Sequence, residues 1–205
     1  MAKSFSALVM FFVVMLGAFP AAAAPPPLDQ VQQTVDKVLE VLRNKSMPVG
    51  EREDRLRTLV YDRFDFALMS QWTLGPYWRH ADAQQRQRFI DLYSELLEAN
   101  YLGKIEAYTD ETVRYLGQKV ENGRAEVETE VVTSNANIPL TYRLSRQGDE
   151  WKVYDVVIEG VSLVRNYRST FGEIARKDGI EGLLQQVARK VEEQKAAAGK
   201  NGKKG

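Results

Sequence analysis

Apolar residues recur at helical spacing from Leu28 to Arg43, where Leu28, Val31, Val35, Val38, Leu39 and Leu42 form one stripe. A stiff "APPPL" leads into this segment and "KSMPVG" ends it. A second amphipathic helix is predicted over 51–64, carrying Leu56, Leu59, Val60 and Phe64. "DFALMSQWTLGPYWRH" reads as a short helix stopped by Gly75-Pro76. Asp82, with Gln85 three residues on, has the capping-box pattern. It opens the longest helix, to about Tyr108, whose buried face is Phe89, Leu92, Tyr93, Leu96, Leu97, Tyr101, Ile105 and Tyr108.

The period then drops to two. Four strands are predicted, at roughly 112–120, 124–134, 138–146 and 150–159. Asn122-Gly123 favours a tight hairpin, "RQGDE" a second one and "SNAN" a looser connection. Short turns between consecutive strands imply an antiparallel meander. Two helices, about 162–177 and 179–195, close the domain. Helices before and after a sheet, without alternation, give an α+β fold in layers: a twisted antiparallel sheet of about four strands with helices packed on it.

The stretch "WKVYDVVIEGVSLVRNYRSTFGEI" changes rhythm halfway. Strict alternation puts Trp151, Val153, Asp155 and Val157 on one face and Tyr154, Val156 and Ile158 on the other, as in a strand covered on both sides. Beyond Glu159-Gly160, the residues Val161, Val164, Tyr167, Phe171 and Ile174 follow helical spacing. So much apolar surface at one joint is either an ordinary core seam or the wall of an apolar cavity. Periodicity does not separate the two.

Composition narrows the function. Lys3, an apolar run from Ala7 to Phe19, and the small residues Ala21 to Ala24 make a secretory signal over 1–23, with cleavage after Ala23. That run is too short to span a bilayer comfortably. Losing Lys3 moves the formal charge from +0 to about −1, which argues against nucleic acid as a partner. The mature chain suits one domain over 24–195, followed by the basic tail "KAAAGKNGKKG", expected to be disordered over 196–205. There is no Cys, so no disulfide and no lipidated N-terminus, and His80 is the one histidine, which excludes Cys/His metal sites in practice. Neither a Gly-x-Ser-x-Gly elbow nor a nucleotide-binding glycine pattern is present. Glu126, Glu128 and Glu130 share a strand face and read as a solvated row. Asp155, set among apolar residues, is either a carboxylate paired with an Arg or a helix N-terminus, or a general base of raised pKa acting with Tyr142 or Tyr154 in an isomerase-like pocket.

Two blocks carry a resemblance. "FDFALMSQWTLGPYWRHADAQQRQRFIDLYSELLEANY" contains Asp65-Phe66, Leu74-Gly75, Trp78, Phe89, Leu97 and Tyr101. "PLTYRLSRQGDEWKVYDVVIEGVSLVRNYRSTF" contains Tyr142, Leu144, Trp151, Val153, Tyr154, Asp155, Gly160, Ser162, Asn166, Tyr167, Arg168 and Phe171. Together they resemble the MlaC (toluene-tolerance) family of periplasmic phospholipid-binding proteins over nearly the whole mature chain. The resemblance implies a nuclear-transport-factor-like fold enclosing an apolar pocket, and a monomeric, non-enzymatic carrier of glycerophospholipid that needs no cofactor. It implies two partners: an inner-membrane ABC transporter with an MCE-domain ring, and an outer-membrane lipoprotein associated with porin. A hopanoid is the alternative cargo.

On that reading the acyl chains would be lined from the helices by Trp72, Leu74, Trp78, Tyr101, Ile105 and Tyr108. From the strands they would be lined by Val127, Val131, Leu140, Tyr142 and Val157, and from the strand-to-helix joint by Val161, Val164, Tyr167 and Phe171. Arg143, Arg165 and Arg168 are the candidate head-group cations, Arg168 having ion pairing with Asp155 as its alternative role.

Overall fold

In the computed structural model, residues 25–106 and 111–201 are described. The expectations for the 1–23 signal and for Tyr108 lie outside them. The order is α1 (Pro27–Arg43), α2 (Val49–Arg63), α3 (Phe66–Leu74), a 3₁₀ turn (Gly75–Arg79) and α4 (Ala83–Glu106). The strands β1 (Thr112–Glu121), β2 (Arg124–Val132), β3 (Asn137–Gln147), β4 (Glu150–Ile158) and β5 (Val161–Ser162) follow, and then α5 (Leu163–Asn201). The sheet is a pure antiparallel meander in the order β1-β2-β3-β4-β5. The expected α+β architecture is therefore present, with five strands rather than about four.

Local chemistry accounts for most boundaries. Asp65 caps α3, its Oδ1 accepting the Leu68 N–H at 2.8 Å. Asp82 and Gln85 complete the capping box reciprocally: Gln85 N donates to Asp82 Oδ1 at 2.8 Å, and Asp82 N to Gln85 Oε1 at 3.2 Å. Asn122 and Gly123 both take positive φ, 51° and 73°, as a two-residue hairpin with the right twist requires. Glu159 and Gly160 do the same at 49° and 81°, making a second such turn. That turn folds Val161-Ser162 back on β4 as the short fifth strand, which the switch to helical spacing concealed. Gly179, at φ 70°, kinks α5 where the sequence placed a break between two helices. The helical backbone continues past Lys195 to Asn201, into the segment expected to be a disordered tail.

Two clusters make most of the core. A helical one joins Met69, Leu74, Phe89, Tyr93, Leu96, Val164, Tyr167, Phe171, Leu183 and Val187 from α3, α4 and α5, with Tyr154 from the sheet. The other lies on the sheet face that packs against α1 and joins Val31 with Ala125, Val127, Leu144, Trp151, Val153 and Val156. A smaller group, Val41, Leu42 and Leu56, ties α1 to α2, with Leu102 and Ile105 of α4 packed against it.

A bulge in β4 corrects the predicted faces of this strand. Arg143 pairs with Asp155 but Leu144 pairs with Val153, so Tyr154 is the extra residue. Beyond it the alternation is reset. Val153 and Val156 both face α1, whereas Asp155 and Val157 lie on the opposite side with Arg143 and Thr141. The gain is Tyr154 itself, whose ring reaches the helical core 5.1 Å from Trp72, with the Arg124 guanidinium over both rings at 4.8 and 5.4 Å.

Candidate functional site: the apolar face between sheet and helices

The register aligns the inward residues into rows. Val113 meets Val131, Val131 meets Ile138, Val127 meets Tyr142, Leu140 meets Ile158 and Ala125 meets Leu144. At the Asn122-Gly123 end this face is filled: Ala125, Val127, Leu144, Trp151 and Val153 are fully covered, with Val31 of α1 seated on them. Towards the other end the same face is only half covered. Val113, Tyr115, Val131, Ile138, Leu140, Tyr142 and Ile158 are partly accessible, as are Val35 of α1 and Tyr101 and Ile105 of α4. An apolar floor thus runs from solid core into a cleft between the sheet, α1 and the C-terminal end of α4.

Two tyrosines report the environment of the floor. Burial pushes the Tyr142 phenol up to about 12, opposed only by the Thr129 hydroxyl. Yet Tyr142 keeps accessible surface. Tyr142 is thus half-buried on the apolar floor, neither sealed in solid core nor open to solvent. Tyr115 is raised as well, first by burial and then by the Asp36 carboxylate of α1 and by Tyr142. Tyr101 is also raised by burial and packs against both main clusters, which sets it at the junction of helices and sheet.

The candidate residues separate by place. Tyr101, Leu140 and Tyr142 come together around the half-covered end, with Val131 at its margin; Val127 continues this floor into the filled part. Ile105 adjoins the same region from the α1–α2–α4 group. Val164, Tyr167 and Phe171 sit in the helical core instead, where Phe171 meets Phe89 edge-on at 5.8 Å and Tyr167 meets Tyr93 at 5.3 Å. Asn100 Nδ2 donates to the Tyr167 hydroxyl at 3.0 Å. Trp72, Leu74 and Trp78 also pack in or against that core, and Trp78 lies under the Arg86 guanidinium at 5.4 Å. Val157 is on the outer face of the sheet, and Val161 in β5 is exposed.

Sequence reasoning left Tyr115, Val113, Ile138 and Ile158 out of the site. The alternation of β1 and β3 was the available signal for the first three, and the β4 bulge concealed Ile158.

The three arginines have separate surroundings. Arg143 is on the outer face, held by Glu126 at 2.9 Å and Asp155 at 3.2 Å. Arg165 is exposed on α5, and Arg168 rests against Gly75. Asp155 is wholly engaged: its Oδ2 accepts from Ser162 Oγ at 2.6 Å and from Arg143 Nη1 at 3.2 Å, and its Oδ1 accepts from Val164 N at 3.1 Å. Of the two roles open in the sequence, the geometry realises the carboxylate paired with an arginine and a helix N-terminus. Of the two tyrosines an isomerase reading would pair with it, Tyr142 is on the opposite face and Tyr154 packs into the helical core against Trp72. Arg168 is not the arginine that pairs with Asp155.

Among the described residues no group of His, Asp and Glu could hold a metal ion. A separate polar depression of about 180 Å³, lined by Asp82, Gln84, Gln85, Arg88, Glu181 and Leu184, shares no residue with the cleft.

Known proteins are similar to this chain. The chain is 25% identical over 194 residues to the intermembrane phospholipid transport system binding protein MlaC of Haemophilus influenzae, covering 89% of this chain and 90% of that one. It is 28% identical over 192 residues to the toluene tolerance protein ttg2D of Pseudomonas putida, covering 86% and 89% respectively. Its fold matches that of a phospholipid-binding protein from Ralstonia solanacearum, solved in complex with a phospholipid. The TM-score is 0.76 at 24% identity, over 82% of this chain and 98% of that chain. Residues 32–189 match the family described as MlaC protein, a span that takes in the sheet, the cleft and most of every helix; the chain belongs to that family.

Proposed function

We propose that the protein binds one glycerophospholipid per monomer, acyl chains in the cleft and head group in water. The observation that carries this reading is the half-covered end of the apolar floor, where Val131, Ile138, Leu140, Tyr142 and Ile158 keep accessible surface beside the filled cluster of Ala125, Val127 and Leu144. Two acyl chains hold about thirty methylenes, worth about 24 kcal/mol against water at about 0.8 kcal/mol each. The same chains are equally buried in a bilayer, so exchange between membrane and cleft is close to balanced, as a carrier requires. A head group left in water needs no dedicated polar cavity.

In this reading the signal over 1–23 sends the chain to the periplasm. There it shuttles phospholipid between outer and inner membranes and maintains outer-membrane lipid asymmetry. Its partners are the MCE-ring ABC transporter and the porin-associated lipoprotein that the family resemblance implies. The relatives' names, a phospholipid transport binding protein and a toluene tolerance protein, support it. Native mass spectrometry of protein purified from a Gram-negative host should find one diacyl phospholipid per chain, and extraction should distinguish it from a hopanoid. Lipid-free protein that takes up nothing from liposomes would overturn the proposal.

A further inference from the structure

Arg165, Arg168 and Arg176 recur at helical spacing, with Gly172 between the last two. On α5 they lie one residue on, roughly 100° round the helix, from the buried stripe of Val164, Phe171 and Ala175. They therefore line a shoulder of the helix, and all three side chains are exposed. Among the described residues none of the three guanidiniums makes a hydrogen bond or an ion pair. Elsewhere Arg52, Arg57, Arg88, Arg114 and Arg143 each face a carboxylate, while Arg79 and Arg189, like these three, make no ion pair among the described residues but form no row.

Two glycines shape this shoulder. The Arg168 guanidinium lies against the backbone of Gly75, close enough that a Cβ there would sit 2.8 Å from Nε. The absent side chain leaves room for the cation beside the 3₁₀ turn, where no carboxylate neutralises it. At Gly172 an added Cβ would meet nothing within 4 Å, so the helix backbone is bare between Arg168 and Arg176.

We propose that this shoulder of α5 is a docking surface for an acidic protein partner. Carboxylates of the partner would pair with Arg165, Arg168 and Arg176, and its backbone would seat over Gly172. An unpaired guanidinium offers two-point recognition of carboxylate, and arginine is prominent among residues that dominate protein interfaces. A bilayer is the weaker match. Three cations spread over roughly 16 Å of helix fall short of the four to eight clustered basic residues that draw a protein to anionic lipid. The formal charge of +0 adds no long-range attraction. The stripe itself contains no exposed apolar side chain to insert. The surface is separate from the cleft, so its failure would leave the lipid reading standing.

The test uses the mature chain in ¹⁵N NMR titrations with two probes, a hexaglutamate peptide and vesicles of phosphatidylethanolamine and phosphatidylglycerol. The peptide should shift the Gly172 amide and the Arg168 Nε–H, and salt should weaken it. Replacing all three arginines by glutamate should weaken peptide binding about tenfold. Gly172→Gln, which has room on the helix, should also weaken it with no fall in Tm. Vesicle binding should respond to neither variant. Peptide shifts centred elsewhere, or peptide affinity unchanged in Gly172→Gln, would overturn the proposal. Vesicle binding lost in parallel with peptide binding would overturn it too, and would assign the surface to lipid. Should the triple variant misfold, Gly172→Gln decides alone.

Discussion

Ser162 donates its hydroxyl hydrogen to Asp155 Oδ2 at 2.6 Å, across the tight turn that joins β4 to β5. The same serine caps α5, its Oγ accepting the Arg165 N–H at 3.1 Å. One buried carboxylate thus fixes the strand, the turn, the first turn of α5 and Arg143 on β3. Asp155→Asn keeps the shape but offers a donor where an acceptor is needed, and it leaves Arg143 with Glu126 alone. It should cost about 2–4 kcal/mol in urea unfolding. Because Asp155 faces away from Tyr142, the folded fraction should still take up lipid.

Cleft and core should respond oppositely to added bulk. Leu140→Trp enters the half-covered end and should collapse lipid occupancy, read by native mass spectrometry, with the Tm of delipidated protein nearly unchanged. Val164→Trp enters a packed cluster in which Val164 is 3% exposed, and should cost about 1–3 kcal/mol or more by overpacking.

The Tyr142 phenol makes stability fall with alkali. Its folded pKa, about 12, stands above the unfolded value of 10.0, so between these values the unfolded chain has released the proton that the folded chain keeps. Stabilisation is complete below pH 10 and is lost as pH rises towards 12, by about 1.4 kcal/mol per unit of difference. Unfolding measured at pH 9 and 11 should show a smaller alkaline loss for Tyr142→Phe. Lipid loading should move the phenol's absorbance titration still higher, because acyl chains complete its desolvation.

Gly75 adopts φ 55°, a backbone region that suits glycine. Gly75→Ala should cost about 1 kcal/mol through that strain. The crowded Arg168 side chain can swing away, so adding Arg168→Ala should return only a few tenths of a kcal/mol in thermal unfolding.

Lys195 Nζ lies 2.7 Å from Glu95 Oε2, so this lysine belongs to the α4–α5 contact. A chain ending at Lys195 should keep its lipid and show at most a modest, salt-sensitive loss of liposome association. Abolished lipid delivery at physiological ionic strength would make residues beyond 195 part of the mechanism.

Much of the architecture is local and was legible in the residues. The Asp82–Gln85 box, the Asn122-Gly123 turn, the Gly179 break and the apolar periods depend on a few neighbouring residues and their φ preferences. The sequence by itself therefore determined the helix–sheet–helix order, the meander and the family. Tertiary structure decided what lies on which side. The bulge at Tyr154 turned Asp155 outward and Val156 inward, because an extra residue inverts every later side chain, and only the fit of Tyr154 against Trp72 and Arg124 rewards it. Val164, Tyr167 and Phe171 share their spacing with any cavity wall, but they became core because Phe89 and Tyr93 came to fill the space beside them. Tyr115, Leu140 and Ile158 have equally ordinary alternation, yet they stay half-covered where Ala125, Val127 and Leu144 are sealed beneath Val31 of α1. Periodicity specifies that a face is apolar; only the elements opposite it determine whether that face is filled.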